Sequence, residues 1–428
     1  MGKGNRKRRE AAERRVHRQR PDHTPADVGE LINLATRYAK VSQRVAAPKV
    51  DQLNAISAAA TAPHLDPAAL VVGEVLSRIG SAWEYGWQPL DLVHGARRRT
   101  SAAGSKWTAR AVLVEADGTR AAERAPQEWA DQLRVLAARH DHCGGPEALL
   151  AVGGRASVAD WTVALVTLDW MRRLPRSELL LPPPSRWGQA RRRSTAAGLH
   201  GKSAKTLTKI RALLAKAEST EFPAEADAFT AKAQDLMTRH AIDEALVADE
   251  AGESIAVQGA RVLIHHPYGL EKASLLDVIA RANRTRAIWN DFSSCVTLVG
   301  VPTDVAQVEM LFTSTLVQAT RAMTQAGRDS HGTDTSSSFR KAFLSAYAVR
   351  IGERLADSSE HATDTYGTDL VPVLQRQAEA VHGEFERLFP HVTTGPRRRT
   401  FDARGWNAGT RAADAAVLPA AEVGPAHS

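Results

Sequence analysis

The chain is divided by a stretch that no helix can cross. Pro182-Pro183-Pro184 removes three consecutive backbone donors and holds three φ angles near one value. The run that follows, rich in Arg, Ser, Thr, Ala and Gly, has no apolar periodicity up to residue 203. Residues 181–203 therefore read as a linker, and each flanking stretch has to bury its own core. A chain of 428 residues has room for two or three domains at about 100–200 residues each.

Positive charge gathers at that division and at the N-terminus. Residues 1–20 carry nine Lys/Arg against two acids, and residues 186–211 carry eight against none. The formal charge of the whole is +8, so the remainder is net −7. This predicts mildly acidic folded bodies tied to cationic segments. Such segments attract polyanions by counterion release without reading sequence. Arg8, Arg9, Arg14, Arg15, Arg191, Arg192 and Arg193, with Lys205 and Lys209 just beyond, are the candidate nucleic-acid-binding residues. The plainer reading is a solubilising tail in an arginine-rich chain, since Arg outnumbers Lys 44 to 12.

Composition excludes other classes. Apolar residues at 43% and charged residues at 24% are globular values. No stretch approaches the roughly 18 consecutive apolar residues of a membrane span. The basic N-terminus lacks an apolar core, so it does not read as a secretory signal. Two cysteines, Cys143 and Cys295, cannot build a disulfide framework or a four-cysteine zinc ribbon. These features lead us to expect a cytoplasmic protein without a membrane partner.

Periodicity organises the rest. Residues 1–23 read as a disordered arm, and residues 24–180 as an all-α domain with helix starts at Thr24-Pro25, Asp66-Pro67 and Pro126. Residues 107–124 are ambiguous between a helix end and a hairpin. Residues 204–243 read as an αα-hairpin: Leu207, Ile210, Leu213 and Leu214 line one helix, Pro223 opens a second, and Phe229, Leu236 and Met237 line it. From 255 to 420 the pattern becomes α+β. Strand-like runs occur at 260–265, 286–289 and 295–299, with a short edge strand at Leu370-Val371-Pro372-Val373. The predicted fold is thus mixed: an all-α domain, a helical hairpin, and an α+β domain with a small sheet.

The hairpin also resembles a known family. Lys209-Ile-Arg-Ala-Leu-Leu-Ala-Lys-Ala-Glu-Ser-Thr220 and the stretch from Glu225 to the closing Leu236-Met237-x-x-His240-x-Ile242 are similar to the two halves of the bacterial and phage domain-of-unknown-function family 2786. The region that usually follows that motif is similar to segments between His265 and Gly409, so the resemblance spans about residues 205–415. It implies no catalytic residues and no cofactor.

Three constellations could carry chemistry. His265-His266-Pro267-Tyr268 lies at a strand end, where a His could act as general base and Tyr as donor. Local packing of a strand-to-helix turn is the simpler reading, because the sequence identifies no acidic partner. His140, His142 and Cys143 are the densest potential metal ligands. Adjacent residues rarely converge on one ion, so we expect no metal there. Leu70–Trp83, Gly86 and Pro89–Arg99 resemble a helix-turn-helix in outline, although an ordinary corner with a solvated basic end explains them as well. Phosphate-loop, dinucleotide-binding, serine-elbow and zinc-peptidase motifs are absent.

The function expected is a non-enzymatic nucleic-acid-associated or adaptor protein. Two alternatives remain: an enzyme with its site in the α+β domain, and a scaffold that binds a protein partner through the hairpin.

Overall fold

The computed structural model describes residues 24–141, 144–187, 208–213, 215–216, 232, 236, 255–329, 336–366, 371–392, 402–416 and 418. The basic arm, residues 188–207, and the turn and most of the second helix of the 204–243 hairpin lie outside the described residues. The chain is mostly helical, with one small antiparallel sheet in its C-terminal part. It divides into two units: residues 1–177 with 183–188, and residues 178–182 with 189–428.

The first unit is helical. Its helices are α1 (Pro25–Ala39), α2 (Gln43–Ala59), α3 (Pro67–Glu84), α4 (Pro89–Arg99), α5 (Ala102–Thr119), the short α6 (Ala121–Arg124), α7 (Gln127–Arg139) and α8 (Val158–Met171). Their starts follow from local chemistry. Thr24 caps α1 in a reciprocal capping box with Asp27, Thr24 N donating to Asp27 Oδ2 at 2.9 Å. Asp66 caps α3 and also joins distant chain: its carboxylate accepts from Ala68 N and from Gly153 N, both at 2.8 Å, and from the Ser57 hydroxyl. The ambiguous 107–124 stretch is helical. Helix α5 runs through it and stops at Arg120, whose φ of 53° is left-handed.

Helix α5 is buried on nearly every side, from Gly104 to Ala116, and α3, α4, α7 and α8 pack around it. Helix α4 packs on α5 and α7 rather than pairing with α3, so the helix-turn-helix outline is not the arrangement adopted. Trp83 and Trp129 meet edge to face at 5.1 Å, and Trp187 joins Trp129 at 5.6 Å. Trp187 is buried, so the stretch read as a linker begins as part of this core. Trp83 Nε1 donates to Glu115 at 2.9 Å. Burial pushes the Glu115 carboxyl above its ordinary value of 4.5, and the indole bond only partly opposes that shift.

The second unit contains β1 (Gln258–Leu263), α9 (Gly269–Ala282), β2 (Arg286–Asn290), β3 (Cys295–Gly300), α10 (Pro302–Asp329), α11 (Ser337–Tyr366), α12 (Val371–Leu388) and α13 (Ala403–Asp414). The sheet order is β1-β3-β2, all antiparallel, with Thr297 opposite both Arg261 and Ile288. All six residues of the central β3 are buried. Val296 and Leu298 face a core built by α9, α10 and α11. On the other face α12 covers β2 and β3, with Arg286 stacked over the Phe385 ring at 4.3 Å. The expected edge strand at 370–373 is overturned: Val371-Pro372-Val373 opens α12, where a proline in the first turn leaves no helical bond unmade.

Helix α13 lies against α11 at backbone distance. A Cβ on Gly405 would sit 2.4 Å from Phe339 O, and one on Gly409 would sit 2.2 Å from Phe343 O. Gly409→Ala must therefore separate the two helices, at a cost of about 1–3 kcal/mol, readable in urea unfolding. A second expectation concerns Glu115. A carboxyl whose folded pKa is raised costs stability above that pKa and nothing below its unfolded value. Glu115→Gln keeps an acceptor for Trp83, so it should raise the unfolding midpoint at pH 7, with the gain vanishing below the ordinary value of 4.5.

Candidate functional site

The 265–268 corner follows β1. Ile264 N donates to Ser294 O at 3.0 Å, which ties the corner to the β2–β3 turn. His265 is exposed, and its carbonyl accepts from Lys272 Nζ at 2.7 Å. Burial lowers the Lys272 pKa. The His266-Pro267 peptide is cis. His266 Nε2 lies 3.2 Å from Ser294 Oγ. Tyr268, at φ 67°, precedes α9, and Ser294 has φ 54°. Gly269 lies close beneath the corner: a Cβ there would sit 3.2 Å from His266 Cε1 and 3.4 Å from the Trp289 ring.

This geometry joins two turns more readily than it performs a reaction. Ser294 is fully buried, so its hydroxyl is open to His266 and closed to solvent. An open groove of about 400 Å³ in this unit is lined by Ile288, Asn290, Thr297, Phe389 and neighbours, and neither His265, His266 nor Tyr268 lines it. Sequence reading singled out the histidines but missed Ser294, which lies 28 residues away and comes into reach only through the β1–β3 pairing.

His140 caps the C-terminus of α7 and is partly buried. Burial first, then the charges of Lys106 and Arg139, lower its pKa against the opposing pull of Asp141. His142 and Cys143 lie outside the described residues, and among the described residues no cluster of three His, Cys, Asp or Glu could hold a metal ion. The other cysteine, Cys295, is buried, with Ser293 Oγ 2.9 Å from its sulfur.

Of the candidate basic residues, Arg8, Arg9, Arg14, Arg15, Arg191, Arg192, Arg193 and Lys205 lie outside the described residues. Lys209 is exposed on a helical stretch that begins at Thr208. The next residue, Ile210, is fully buried with Leu213, Leu236, Ala306 and Met310, which seats this stretch on α10. Arg211 and Lys216 are also exposed. Glu309 of α10 is pushed up by burial, and the nearby Arg211 charge opposes that shift. The cationic segment thus continues onto the solvent face of a docked helix.

Comparison with known proteins identifies the class of this docked segment. Residues 205–244 match the family described as protein of unknown function, DUF2786. No curated protein and no solved structure matches the chain. Among the described residues, no helix is long and apolar enough to cross a membrane.

With His266 acting as a clasp between the two turns, Ser294→Ala should cost about 1 kcal/mol, the net worth of one hydrogen bond. Thermal unfolding of the purified chain measures this.

Proposed function

We propose that this is a nucleic-acid-associated protein that holds phosphate backbones electrostatically, without enzymatic chemistry of its own. The observation that carries the reading is the segregation of charge. Residues 212–428 hold twenty-one Lys/Arg against twenty-eight Asp/Glu, residues 24–177 hold eighteen against sixteen, and the large cationic excesses sit in residues 1–20 and 186–211. The acidity therefore belongs to the C-terminal stretch rather than to both folded parts. A cationic connector between bodies of low or negative charge concentrates counterion release where the chain meets a polyanion. Exposed Lys209 and Arg211 extend that connector onto a surface anchored by Ile210.

The scaffold alternative has less support. Ile210, Leu213 and Leu236 of the hairpin are already engaged with Ala306 and Met310 of the same chain. The enzyme alternative rests on residue types at 265–268 alone. A reducing, cytoplasmic setting suits the two cysteines.

The test is a mobility shift of duplex DNA and duplex RNA by the full chain across a salt series. Binding should weaken steeply with salt. Removal of residues 1–23 should make the log–log slope shallower by about 0.9 for each phosphate that the arm neutralises. Salt-insensitive binding, or none at low salt, would refute the reading.

A further inference from the structure

The outer face of the sheet in the second unit holds a groove that the packing leaves open. Thr297, midway along the central strand β3, lines it. Its neighbours Val296 and Leu298 face the core, so the Thr297 side chain is turned the other way, toward the groove. Arg261 and Ile288 stand opposite it on the adjacent strands. Thr297 is 1% exposed, yet its hydroxyl makes no hydrogen bond among the described residues. A buried hydroxyl without a protein partner is costly, and folded chains rarely keep one that a ligand or ordered water does not meet. Asn290, at the end of β2, supplies a second open group. Its Oδ1 accepts from Ser293 N at 3.2 Å, while its amide N–H groups make no hydrogen bond among the described residues.

The groove has a volume of about 400 Å³, within the range of small-molecule sites. Its wall beyond α12 is set by packing. Phe389 N donates to Phe385 O at 2.9 Å, and the two rings lie 5.2 Å apart. Phe385 is itself held by the Arg286 guanidinium, 4.3 Å from its ring. Phe389 and Ile288 add apolar surface beside the polar floor.

The lining selects its ligand by elimination. Glu178 and Asp291 stand in it, and among the described residues no Lys or Arg does, so an anion is repelled. The Glu178 carboxylate is turned to the buried Arg261 at 3.6 Å, and Asp291 is already engaged, so neither acid is kept for a cation. A purely apolar ligand would leave the Thr297 hydroxyl and the Asn290 amide unpaired. The chemistry that fits is an uncharged ring with an apolar face and a hydrogen-bonding edge.

We infer that this groove binds a nucleobase, whose face packs on Phe389 and whose edge accepts from the Asn290 amide and meets the Thr297 hydroxyl. The base comes from a free nucleoside or from an unpaired position of a single strand. This goes beyond the electrostatic reading above, since the groove offers phosphate no cation.

The test uses the full chain and two variants, Thr297→Val and Asn290→Asp. The first removes the hydroxyl with little change of shape. The second keeps an acceptor for Ser293 N and removes the amide donor. Each protein is titrated calorimetrically with guanosine, adenosine, cytidine and uridine, with their 5′-monophosphates, and with short single-stranded oligonucleotides of each base. Melting temperatures check folding. Thr297→Val should melt no lower than the wild type, because the hydroxyl it loses has no protein partner. At least one nucleoside should bind, its monophosphate more weakly, and each substitution should weaken binding about fivefold, the worth of one hydrogen bond. Equal weakening for the matching oligonucleotide identifies a base of a single strand as the ligand; weakening confined to the nucleoside identifies the free molecule. No nucleoside binding by the wild type at millimolar concentration overturns the site, as does wild-type affinity in both folded variants. Monophosphates that bind more tightly than nucleosides also overturn it. None of these outcomes touches the salt-dependent duplex binding that tests the proposed function.

Discussion

The second unit depends on covering both sides of β3. A three-stranded antiparallel sheet commonly leaves one face to water, yet every residue of this central strand is buried. Val296 and Leu298 require α9, α10 and α11 on one side. Thr297 and Val299 require α12 on the other, where the Arg286 guanidinium lies over Phe385 and donates to His382 Nδ1 at 2.7 Å. The segment 178–182 adds to the same face: Leu180 occupies the space left by Gly259, and Glu178 O accepts from the buried Arg261 at 2.7 Å. A short stretch from the far side of the proline run thus completes the sheet.

The helical unit solves the same problem with one helix. Helix α5 has almost no solvent face, so its neighbours are selected by what they bring to it: Ser105 and Trp107 hydrogen-bond to chain from α4 and from the loop after α7, and Trp83 reaches Glu115 from α3. Its exposed residues lie mostly toward its ends.

Much of the secondary structure was legible in the residues. Thr24 and Asp66 announced helix starts, because a short polar side chain before an apolar period satisfies the first free backbone donors. The strand-like runs at 260–265, 286–289 and 295–299 overlap the strands Gln258–Leu263, Arg286–Asn290 and Cys295–Gly300, the first strand starting and ending two residues earlier than its run. Two readings failed for local reasons. Leu370 to Val373 looked like a strand because β-branched residues flank a proline, but the amphipathic period that follows outweighs them. The Pro-rich stretch looked featureless, yet Trp187 at its end finds Trp129 and becomes core. The candidate corner was legible only by residue type: His266 is visible in the sequence, whereas its partner Ser294 is not.

By itself the sequence determined where charge would accumulate, where helices begin and which segment matches the DUF2786 family, because these are matters of local chemistry and spacing. Tertiary structure decided what those features meet. Ile210 is spent on α10 rather than on a partner, Gly409 lets two helix backbones touch, and Lys106 and Arg139, from separate helices, come to act on one histidine. Such pairings depend on which surfaces the folded chain buries together, and no local pattern of residues encodes that choice.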